Sequence, residues 1–333
     1  MDPTAQPSVA VVIPVLNEER HLEEAVDAAL KQEYAGPVTV VLALGPSRDR
    51  TDEIARDLEA REPRVRLVAN PSGLTPDALN AAIAASESDV VVRVDGHGIL
   101  DPGYIATAVR LLDETGAANV GGIMDAEGAT SFERAVAAAM TSKLGVGGSR
   151  FHVGGDAGPA DTVYLGVFRR QWLQRMGGYD RRFVRAQDWE LNHRIREAGG
   201  LVWFSPQLRV AYRPRASLRA LARQYRDYGR WRRVVSRTHA GTINLRYLAP
   251  PLALVVVVLS LLGSVLEPWL LAVPAAYLLL TTVGGLTLRD RRLRPFDRLW
   301  LPLVLPTMHL AWGWGFLTSR VRIDTAQAMP ATS

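Results

Sequence analysis

Short apolar runs alternate with amphipathic segments over residues 8–212. Runs rich in valine and isoleucine predict strands, and stretches with apolar residues three or four apart predict helices. The predicted strands span residues 9–14, 38–44, 65–68 and 90–95, and the predicted helices span residues 19–31, 51–62 and 75–86. This βαβα order predicts an α/β fold with a mostly parallel sheet and helices on both faces.

Three longer apolar runs follow near the carboxyl terminus. Residues 247–266, 269–288 and 299–318 contain no Asp, Glu, Lys or Arg. Each run has about 20 residues, the length with which a helix crosses a hydrocarbon core. Pro302, Pro306 and His309 interrupt the third run. We therefore expect about three transmembrane helices, and the alternative is a buried helical hairpin in a soluble protein.

Charge is distributed unevenly along the chain. Residues 1–212 hold 22 Lys and Arg against 29 Asp and Glu, whereas residues 213–333 hold 17 Arg against five acids. Ten of these arginines precede the first apolar run and five separate the second from the third. By the positive-inside rule, the α/β domain is cytoplasmic and the protein is a multi-pass protein of the inner (plasma) membrane. The apolar runs make membrane lipids, and not nucleic acid, the expected partner of the basic segment.

The basic segment, residues 213–246, has its own pattern. Between Ser217 and Arg237, apolar side chains recur at helical spacing and arginines fill most other positions. This pattern predicts an amphipathic helix on the membrane surface, or alternatively a basic helix packed on the domain. The predicted domains are thus residues 1–212, 213–246 and 247–333. The polar residues 1–8 predict no signal peptide, and the lack of cysteine excludes disulfides and zinc-thiolate sites.

Candidate chemistry begins where the fourth predicted strand ends. Arg93, Asp95 and His97 lie there, at the carboxyl edge where open α/β sheets bind ligands. A carboxylate and an imidazole two residues apart can share one divalent cation, which in turn can hold a diphosphate. The alternative is an Asp-Gly turn with His97 on the surface.

Other polar residues stand at strand ends and helix starts. Asn17 and Glu18 follow Pro14, where freed backbone amides can meet a nucleotide or where these side chains simply cap a helix. Asp188 enters a later helix, where it either caps the helix or accepts a proton. A glycine-rich segment, residues 145–158, predicts a lid or a disordered loop.

Taken in order, these motifs resemble family 2 glycosyltransferases of the GT-A fold, over about residues 9–212. The resemblance is carried by the ordered motifs Val-Ile-Pro-x-x-Asn-Glu-Glu, Ser47-x-Asp49-x-Thr51, Asn70-x-x-Gly73 with Asn80, Arg93-Val-Asp-Gly-His97, Gly166-x-Phe-Arg-Arg170, Gly177-Gly-Tyr-Asp180 and Gln187-Asp188. Residues 93–97 and 161–163 are most similar to membrane-associated, succinoglycan-type glucosyltransferases.

The resemblance implies a role for individual residues. It implies that Asp188 is the general base, and that Asp95 and His97 bind Mg²⁺ or Mn²⁺. The residues implied for binding the donor nucleotide are Pro14, Asn17, Glu18, Asn80, Arg93 and Asp95. The residues implied for the acceptor side or the lid are His152, Asp161, Thr162, Gln187, Trp189, Arg230 and Trp231.

The implied reaction is inverting transfer of a hexose from a nucleoside-diphosphate sugar, expected to be a UDP-hexose. The implied acceptor is a polyprenyl- or lipid-linked saccharide at the cytoplasmic membrane face, in exopolysaccharide or cell-envelope glycan synthesis. Leu44 stands where the family usually has a base-contacting Asp, which leaves the nucleotide open. The alternatives are a polyprenyl-phosphate sugar synthase and a non-catalytic nucleotide-sugar-binding scaffold. The absence of Gly-x-Gly-x-x-Gly after the first strand disfavours a dinucleotide-dependent dehydrogenase.

Overall fold

The computed structural model describes residues 6–323. The chain divides into two compact units. The first contains residues 6–125 and Gly154–Tyr212, and the second contains Ala126–Val153 and residues 213–323. A unit boundary falls after residue 212, and Ala126–Val153 group with the carboxyl-terminal residues. The division into residues 1–212, 213–246 and 247–333 stays a prediction.

A sheet of nine strands organises the first unit within the described residues. The strands are β1 (Val9–Val15), β2 (Val38–Leu44), β3 (Val65–Ala69), β4 (Val90–Arg93), β5 (Ile99–Leu100), β6 (Asn119–Ala126), β7 (Gly158–Pro159), β8 (Tyr164–Arg169) and β9 (Val202–Tyr212). They follow the order β3-β2-β1-β4-β8-β6-β9-β5, with β7 paired to β9.

The four strands predicted from the sequence form the parallel half of the sheet. Val9 is aligned with Val38 on one side and with Val90 on the other, so β1 is central. Its side chains are almost entirely buried. A strand covered on both faces needs a continuous apolar run, which is why these segments are so rich in valine. The predicted α/β fold is confirmed in this half.

The second half of the sheet is antiparallel. Strand β8 pairs antiparallel with both β4 and β6, and β9 pairs antiparallel with β5 and β7. Val92 is aligned with Val167, so the end of β4 lies between a parallel neighbour and an antiparallel one. Arg93, the last residue of β4, therefore lies where the strand direction changes, and open sheets form a crevice at such a place.

Helices flank this sheet in the first unit. They are α1 (Leu22–Leu30), α2 (Thr51–Arg61), α3 (Thr75–Ala84), α4 (Tyr104–Thr115), α8 (Arg170–Arg175) and α9 (Gln187–Glu197). Helix α3 begins with Thr75 and Pro76. Proline is tolerated in the first turn of a helix because the N–H that it lacks would have no intrahelical acceptor there. The predicted helices over residues 19–31, 51–62 and 75–86 correspond to α1, α2 and α3.

The second unit is helical. Its helices are α5 (Ser131–Met140), α6 (Lys143–Val146), α7 (Arg150–Val153), α10 (Leu218–Thr238), α11 (Leu245–Gly263), α12 (Ala272–Leu286) and α13 (Leu301–Thr318). The predicted amphipathic helix is α10, and it packs closely on α13. A β-carbon at Gly229 would overlap the carbonyl oxygen of Trp312, and one at Gly315 would overlap that of Arg226. Glycines at these two positions let the two backbones meet.

Two helices of the second unit have the length and composition to cross a membrane. Leu245–Gly263 has a mean hydropathy of 2.1 and Pro268–Leu286 of 1.7, and few of their residues are buried. The third predicted span is the helix α13, which is not among the helices of the described residues that are long and apolar enough to cross a membrane. Much of α13 is buried, including Leu305 and Met308. Three crossings are therefore not confirmed.

The glycine-rich segment, residues 145–158, contains local structure. It takes in the end of α6, all of α7 and the start of β7. Its first part belongs to the second unit, where Nε2 of His309 lies 2.9 Å from the carbonyl oxygen of Leu144. Movement of this segment as a lid stays a prediction.

Candidate active site

Arg93 is the centre of the candidate site. One Nη atom donates a hydrogen bond to Asp188, 95 residues further along the chain, and the other donates to Oδ1 of Asp95 at 3.0 Å. Only 5% of the Arg93 side chain is exposed, whereas 26% of Asp95 and 24% of Asp188 are exposed. One buried guanidinium therefore holds two partly exposed carboxylates next to each other.

The surroundings of Arg93 favour the ionised form of Asp95. Burial works to raise the pKa of Asp95, but the positive charge of Arg93 and its hydrogen bond to Asp95 outweigh burial and hold this pKa below its ordinary value. Beneath the guanidinium lies Tyr179, whose ring centroid is 5.9 Å from the guanidinium carbon. Tyr179 is buried, which raises its pKa to about 12, so its ring remains a neutral floor under the cation.

His97 pairs with Glu18, the residue that follows Asn17 after β1. Nδ1 of His97 lies 2.8 Å from Oε1 of Glu18. A β-carbon at Gly96 would lie 2.8 Å from Cγ of Glu18, so glycine is required for this close approach. A carboxylate accepts the hydrogen bond, so neutral His97 carries its proton on Nδ1 and keeps its lone pair on Nε2.

Reciprocal hydrogen bonds hold the loop after β1 against the loop after β2. The amide of Asn17 donates to Oγ of Ser47 at 3.1 Å, and Oδ1 of Asn17 accepts from the amide of Arg48 at 2.8 Å. The amide of Glu18 donates to Oγ1 of Thr51 at 2.7 Å. These contacts stabilise Asn17 at a φ of 57°, which Asn tolerates better than most residues.

Asp188 is the second residue of α9. The residue that caps this helix is Ala186, in a left-handed conformation with a φ of 60° and no side-chain cap. Asp188 is therefore not an N-cap residue, which is a correction to the alternative considered from the sequence. Its position in the first turn stabilises a negative charge through the helix dipole. Gln187, just before it, is buried.

Asn80 fixes the turn that supplies Tyr179. Nδ2 of Asn80 donates to the Tyr179 carbonyl, and Oδ1 accepts from the Tyr179 amide, both at 2.8 Å. Gly178 has a φ of 75° and approaches Asn80 too closely for a β-carbon. The contacts of Asn80 thus position the floor under Arg93. Contact between Asn80 and a donor stays a prediction.

Sequence comparison identifies the family. A model described as "Glycosyltransferase like family 2" matches residues 6–233. The chain belongs to glycosyltransferase family 2. This glycosyltransferase is 33% identical over 318 residues to the succinoglycan biosynthesis protein ExoA of Rhizobium meliloti (strain 1021), covering 95% of this chain and 96% of that protein. The resemblance predicted from the motifs is confirmed.

Two further proteins are similar to this glycosyltransferase. A Methanococcus voltae enzyme, dolichyl N-acetyl-alpha-D-glucosaminyl phosphate 3-beta-D-2,3-diacetamido-2,3-dideoxy-beta-D-glucuronosyltransferase, is 21% identical over 73% of this chain and 77% of its own. The structure of the mannosyltransferase PcManGT from Pyrobaculum calidifontis, in complex with GDP-Man and Mn²⁺, covers 96% of this chain and 90% of that chain with a TM-score of 0.59 at 19% identity. The likeness to PcManGT shows the GT-A fold.

The remaining predicted site residues of the glycosyltransferase fall into two groups. Thr162 accepts a hydrogen bond from Asn192 of α9 at 2.9 Å, and Trp189 stacks on His193 with ring centroids 5.2 Å apart. Pro14 lies on β1 and Asp161 just before Thr162, both in the first unit. The other predicted residues, His152, Arg230 and Trp231, belong to the second unit.

The donor atoms around Asp95 fit a cation that is held mainly by its substrate. Among residues 6–323, no group of three or more His, Cys, Asp or Glu side chains could hold a metal ion. Mg²⁺ at a diphosphate typically takes one or two protein ligands and completes its shell with phosphate oxygens and water. Asp95 supplies a carboxylate, and the Glu18–His97 pair has the carboxylate–histidine arrangement that orients metal-binding imidazoles.

Two features of the site escaped prediction from the sequence. Tyr179 belongs to the Gly177-Gly-Tyr-Asp180 motif, but nothing local in the sequence indicates that its ring lies beneath Arg93. The contact of Glu18 with His97 is also not predicted by the sequence, and a place for Glu18 in the nucleotide pocket stays a prediction. A buried strand that ends in arginine is the signal that could have been used, since a buried guanidinium requires anionic partners.

Proposed function

We propose that this glycosyltransferase moves a hexose, with inversion, from a nucleoside-diphosphate sugar to a lipid-linked saccharide at the cytoplasmic membrane face. The proposal places the protein in exopolysaccharide or cell-envelope glycan synthesis. The observation that carries it is the Arg93 bridge, which gathers Asp95 and Asp188 at the carboxyl edge of the parallel strands.

Asp188 is the proposed general base. Arg93 bonds Oδ1 of Asp188, so Oδ2 can accept the proton of an acceptor hydroxyl. As that proton leaves, the hydroxyl oxygen bonds to the anomeric carbon, and the bond from this carbon to the diphosphate oxygen breaks. The hydrogen bond from Arg93 orients Asp188, which makes Arg93 a positioning residue.

Asp95 and His97 are the proposed holders of a divalent cation, Mg²⁺ or Mn²⁺. When bound, such a cation offsets the charge that develops on the leaving diphosphate. The Mn²⁺ and GDP-Man in the structure of PcManGT support the use of a divalent cation with a nucleotide-sugar donor. Pro14, Asn17 and Glu18 are proposed to line the nucleotide pocket, and UDP-hexose is the proposed donor despite Leu44 at the end of β2.

The second unit supports a membrane acceptor. Two helices long and apolar enough to span a bilayer, together with an arginine-rich segment before them, favour an inner-membrane protein with a cytoplasmic catalytic unit. The name of the Rhizobium meliloti relative refers to succinoglycan synthesis and supports a role in polysaccharide synthesis. The name of the Methanococcus voltae relative refers to a dolichyl-linked sugar phosphate and supports a lipid-linked saccharide as acceptor.

The experiment is a transfer assay with the purified full chain in detergent. UDP-, GDP- and dTDP-sugars are screened with and without Mn²⁺, against a membrane lipid extract. We expect metal-dependent release of one nucleoside diphosphate, increased by the extract. Donor binding without release from any sugar would contradict the proposal and favour a non-catalytic scaffold.

A matched pair of variants tests the base. Asp188→Asn should lower transfer by about 10²–10⁴-fold, the usual contribution of a general base, while donor binding persists. The control, Asp113→Asn, changes a largely exposed carboxylate paired with Arg169 and should transfer normally. Substantial transfer by Asp188→Asn would instead favour a polyprenyl-phosphate sugar synthase, because a phosphate nucleophile needs no base.

A further inference from the structure

Positive charge gathers around one tyrosine in the second unit. Tyr247 lies in the first turn of α11, and the guanidinium carbon of Arg232, from α10, is 3.9 Å from its ring centroid. The guanidinium carbon of Arg246 is 4.6 Å from the same centroid, and its Nη2 donates to the Tyr247 hydroxyl at 2.5 Å. Two guanidinium groups therefore share one aromatic side chain. We call Arg232, Arg246 and Tyr247 the cationic cluster.

The cationic cluster is built from several elements. Trp312 of α13 stacks on Tyr247 with an interplanar angle of 7° and ring centroids 6.3 Å apart. Arg232 is buried and donates to the carbonyl of Thr242, between α10 and α11. These contacts with aromatic rings and with the Thr242 carbonyl restrict the rotamers of the two arginines. The cluster is thus preorganised and differs from a set of surface arginines that move freely in water.

The charge of Arg246 is not compensated within the described residues. No carboxylate there forms an ion pair with it, and its buried Nε has no hydrogen-bond partner. The first turn of α11 contains no acidic residue, and the side chain of Asn244 does not cap the helix. The positive end of the helix dipole therefore adds to the charge of Arg246, and both favour an anion bound beside them.

His152 of α7 lies beside this charge. Burial, and then the charge of Arg246, lower the pKa of His152 to about 3, so the imidazole is neutral near pH 7. Its Nδ1 is buried and has no hydrogen-bond partner among the described residues. A neutral imidazole with an unused ring nitrogen can donate one hydrogen bond to an anionic oxygen.

An apolar stripe begins next to Arg246 and continues along α11. Leu245 is 78% exposed, and the exposed side chains that follow it at helical spacing are Leu252, Val256, Leu259 and Leu262. A ligand with an anionic head and a long hydrocarbon tail matches both the cationic cluster and this stripe. A soluble phosphate would match only the cluster.

We propose that Arg232 and Arg246, with His152, bind the phosphate or diphosphate group of a polyprenyl-linked acceptor whose hydrocarbon tail lies along α11. This inference rests on the proposed function, because it names the part of the lipid acceptor that the second unit recognises. Arg230 and Trp231, predicted from the sequence for the acceptor side or the lid, are neighbours of Arg232 on α10, and their role stays a prediction.

The test measures binding to the full chain in detergent, with geranylgeranyl diphosphate as the probe and intrinsic tryptophan fluorescence as the signal. Inorganic diphosphate and phosphatidylglycerol are titrated in parallel. We expect R246Q to weaken binding of the probe by about 10-fold or more, as expected for a lost charge-assisted contact, and R246K to weaken it less. The matched control is R291Q, which removes an exposed arginine of the link before α13 and should bind normally.

Each outcome decides the proposal. Equal affinity of R246Q and the unchanged protein for the probe would overturn it. Equal affinity of the unchanged protein for inorganic diphosphate would indicate a soluble-anion site, and equal affinity for phosphatidylglycerol would indicate a general headgroup site; either overturns the acceptor assignment. Because binding is measured without a sugar donor, failure of the transfer assay leaves this result interpretable.

A second measurement does not depend on folding of a variant. Phenylglyoxal modifies accessible arginines, and the modified sites of the unchanged protein are mapped by mass spectrometry. Geranylgeranyl diphosphate should slow modification of Arg246 at least several-fold, whereas Arg291 should react at the same rate. Equal reaction of Arg246 with and without the probe would contradict the proposal even if R246Q cannot be purified.

Discussion

Replacing Arg93 by methionine removes the cation that holds Asp95 and Asp188 together, while keeping a side chain of similar length. Removal of one partner from a buried ion pair typically costs about 3–5 kcal/mol. Since about a quarter of each carboxylate side chain is exposed, water offsets part of this cost, and we expect a loss of about 2–3 kcal/mol at pH 7. This loss corresponds to a fall of about 4–10 °C in the thermal midpoint.

The pH dependence of this loss has a defined sign. In the unchanged protein the pKa of Asp95 is lowered, so Asp95 stabilises the fold above its unfolded pKa of about 3.9 and loses that contribution as the pH falls through the folded value. Without Arg93, two neighbouring carboxylates raise the pKa of one of them. The difference in the free energy of unfolding between Arg93→Met and the unchanged protein should therefore be largest near pH 7 and become smaller below about pH 5.

The assay is thermal unfolding of the full chain in detergent, followed by near-ultraviolet circular dichroism. The matched control is Arg169→Met. The carboxylate partner of Arg169, Asp113, is 62% exposed, so loss of this ion pair should cost less than about 1 kcal/mol. Adding Asp188→Asn to Arg93→Met should recover about 1–2 kcal/mol, because one unpaired charge is removed. The bridging role of Arg93 would be refuted if the thermal midpoint of Arg93→Met equalled that of Arg169→Met, did not depend on pH and was not raised by adding Asp188→Asn.

Three further variants test local features of the two units by the same thermal assay. Ala186→Gly should raise the thermal midpoint by about 2 °C, because glycine relieves the strain of about 1–2 kcal/mol that alanine has in a left-handed conformation. The greater backbone entropy of glycine in the unfolded chain offsets part of this gain, and an unchanged midpoint would argue against strain at Ala186. Gly229→Ala should cost about 3 kcal/mol by pushing α10 from α13, whereas Gly148→Ala, which meets open space, should be tolerated. Asp297→Asn should cost about 2–3 kcal/mol at pH 7, because Arg134 loses its buried partner. The Arg134 hydrogen bond lowers the pKa of Asp297, so this cost should shrink as the pH falls below about 4, and a constant cost would exclude the ion pair as its source.

The sequence by itself determined the parallel half of the sheet and the place of the site. Strand β2 spans Val38–Leu44, the range predicted from its valine-rich run, because burial on both faces demands apolar residues at nearly every position. Asp95 and His97 could be placed at the carboxyl edge because a buried strand stops abruptly at polar residues. The order of weak motifs was enough to predict the family, since their sequence along the chain carries information that no single motif holds.

The tertiary structure alone decided which side chains meet. Arg93 and Asp188 are 95 residues apart, and Asn80 and Tyr179 are 99 apart, so no local pattern relates them. The burial of α13 likewise depends on glycine contacts with α10, which composition cannot distinguish from a membrane span. Local sterics and burial periodicity act over a few residues and determine helices and strands, whereas ion pairs and close backbone contacts depend on the order in which those elements pack.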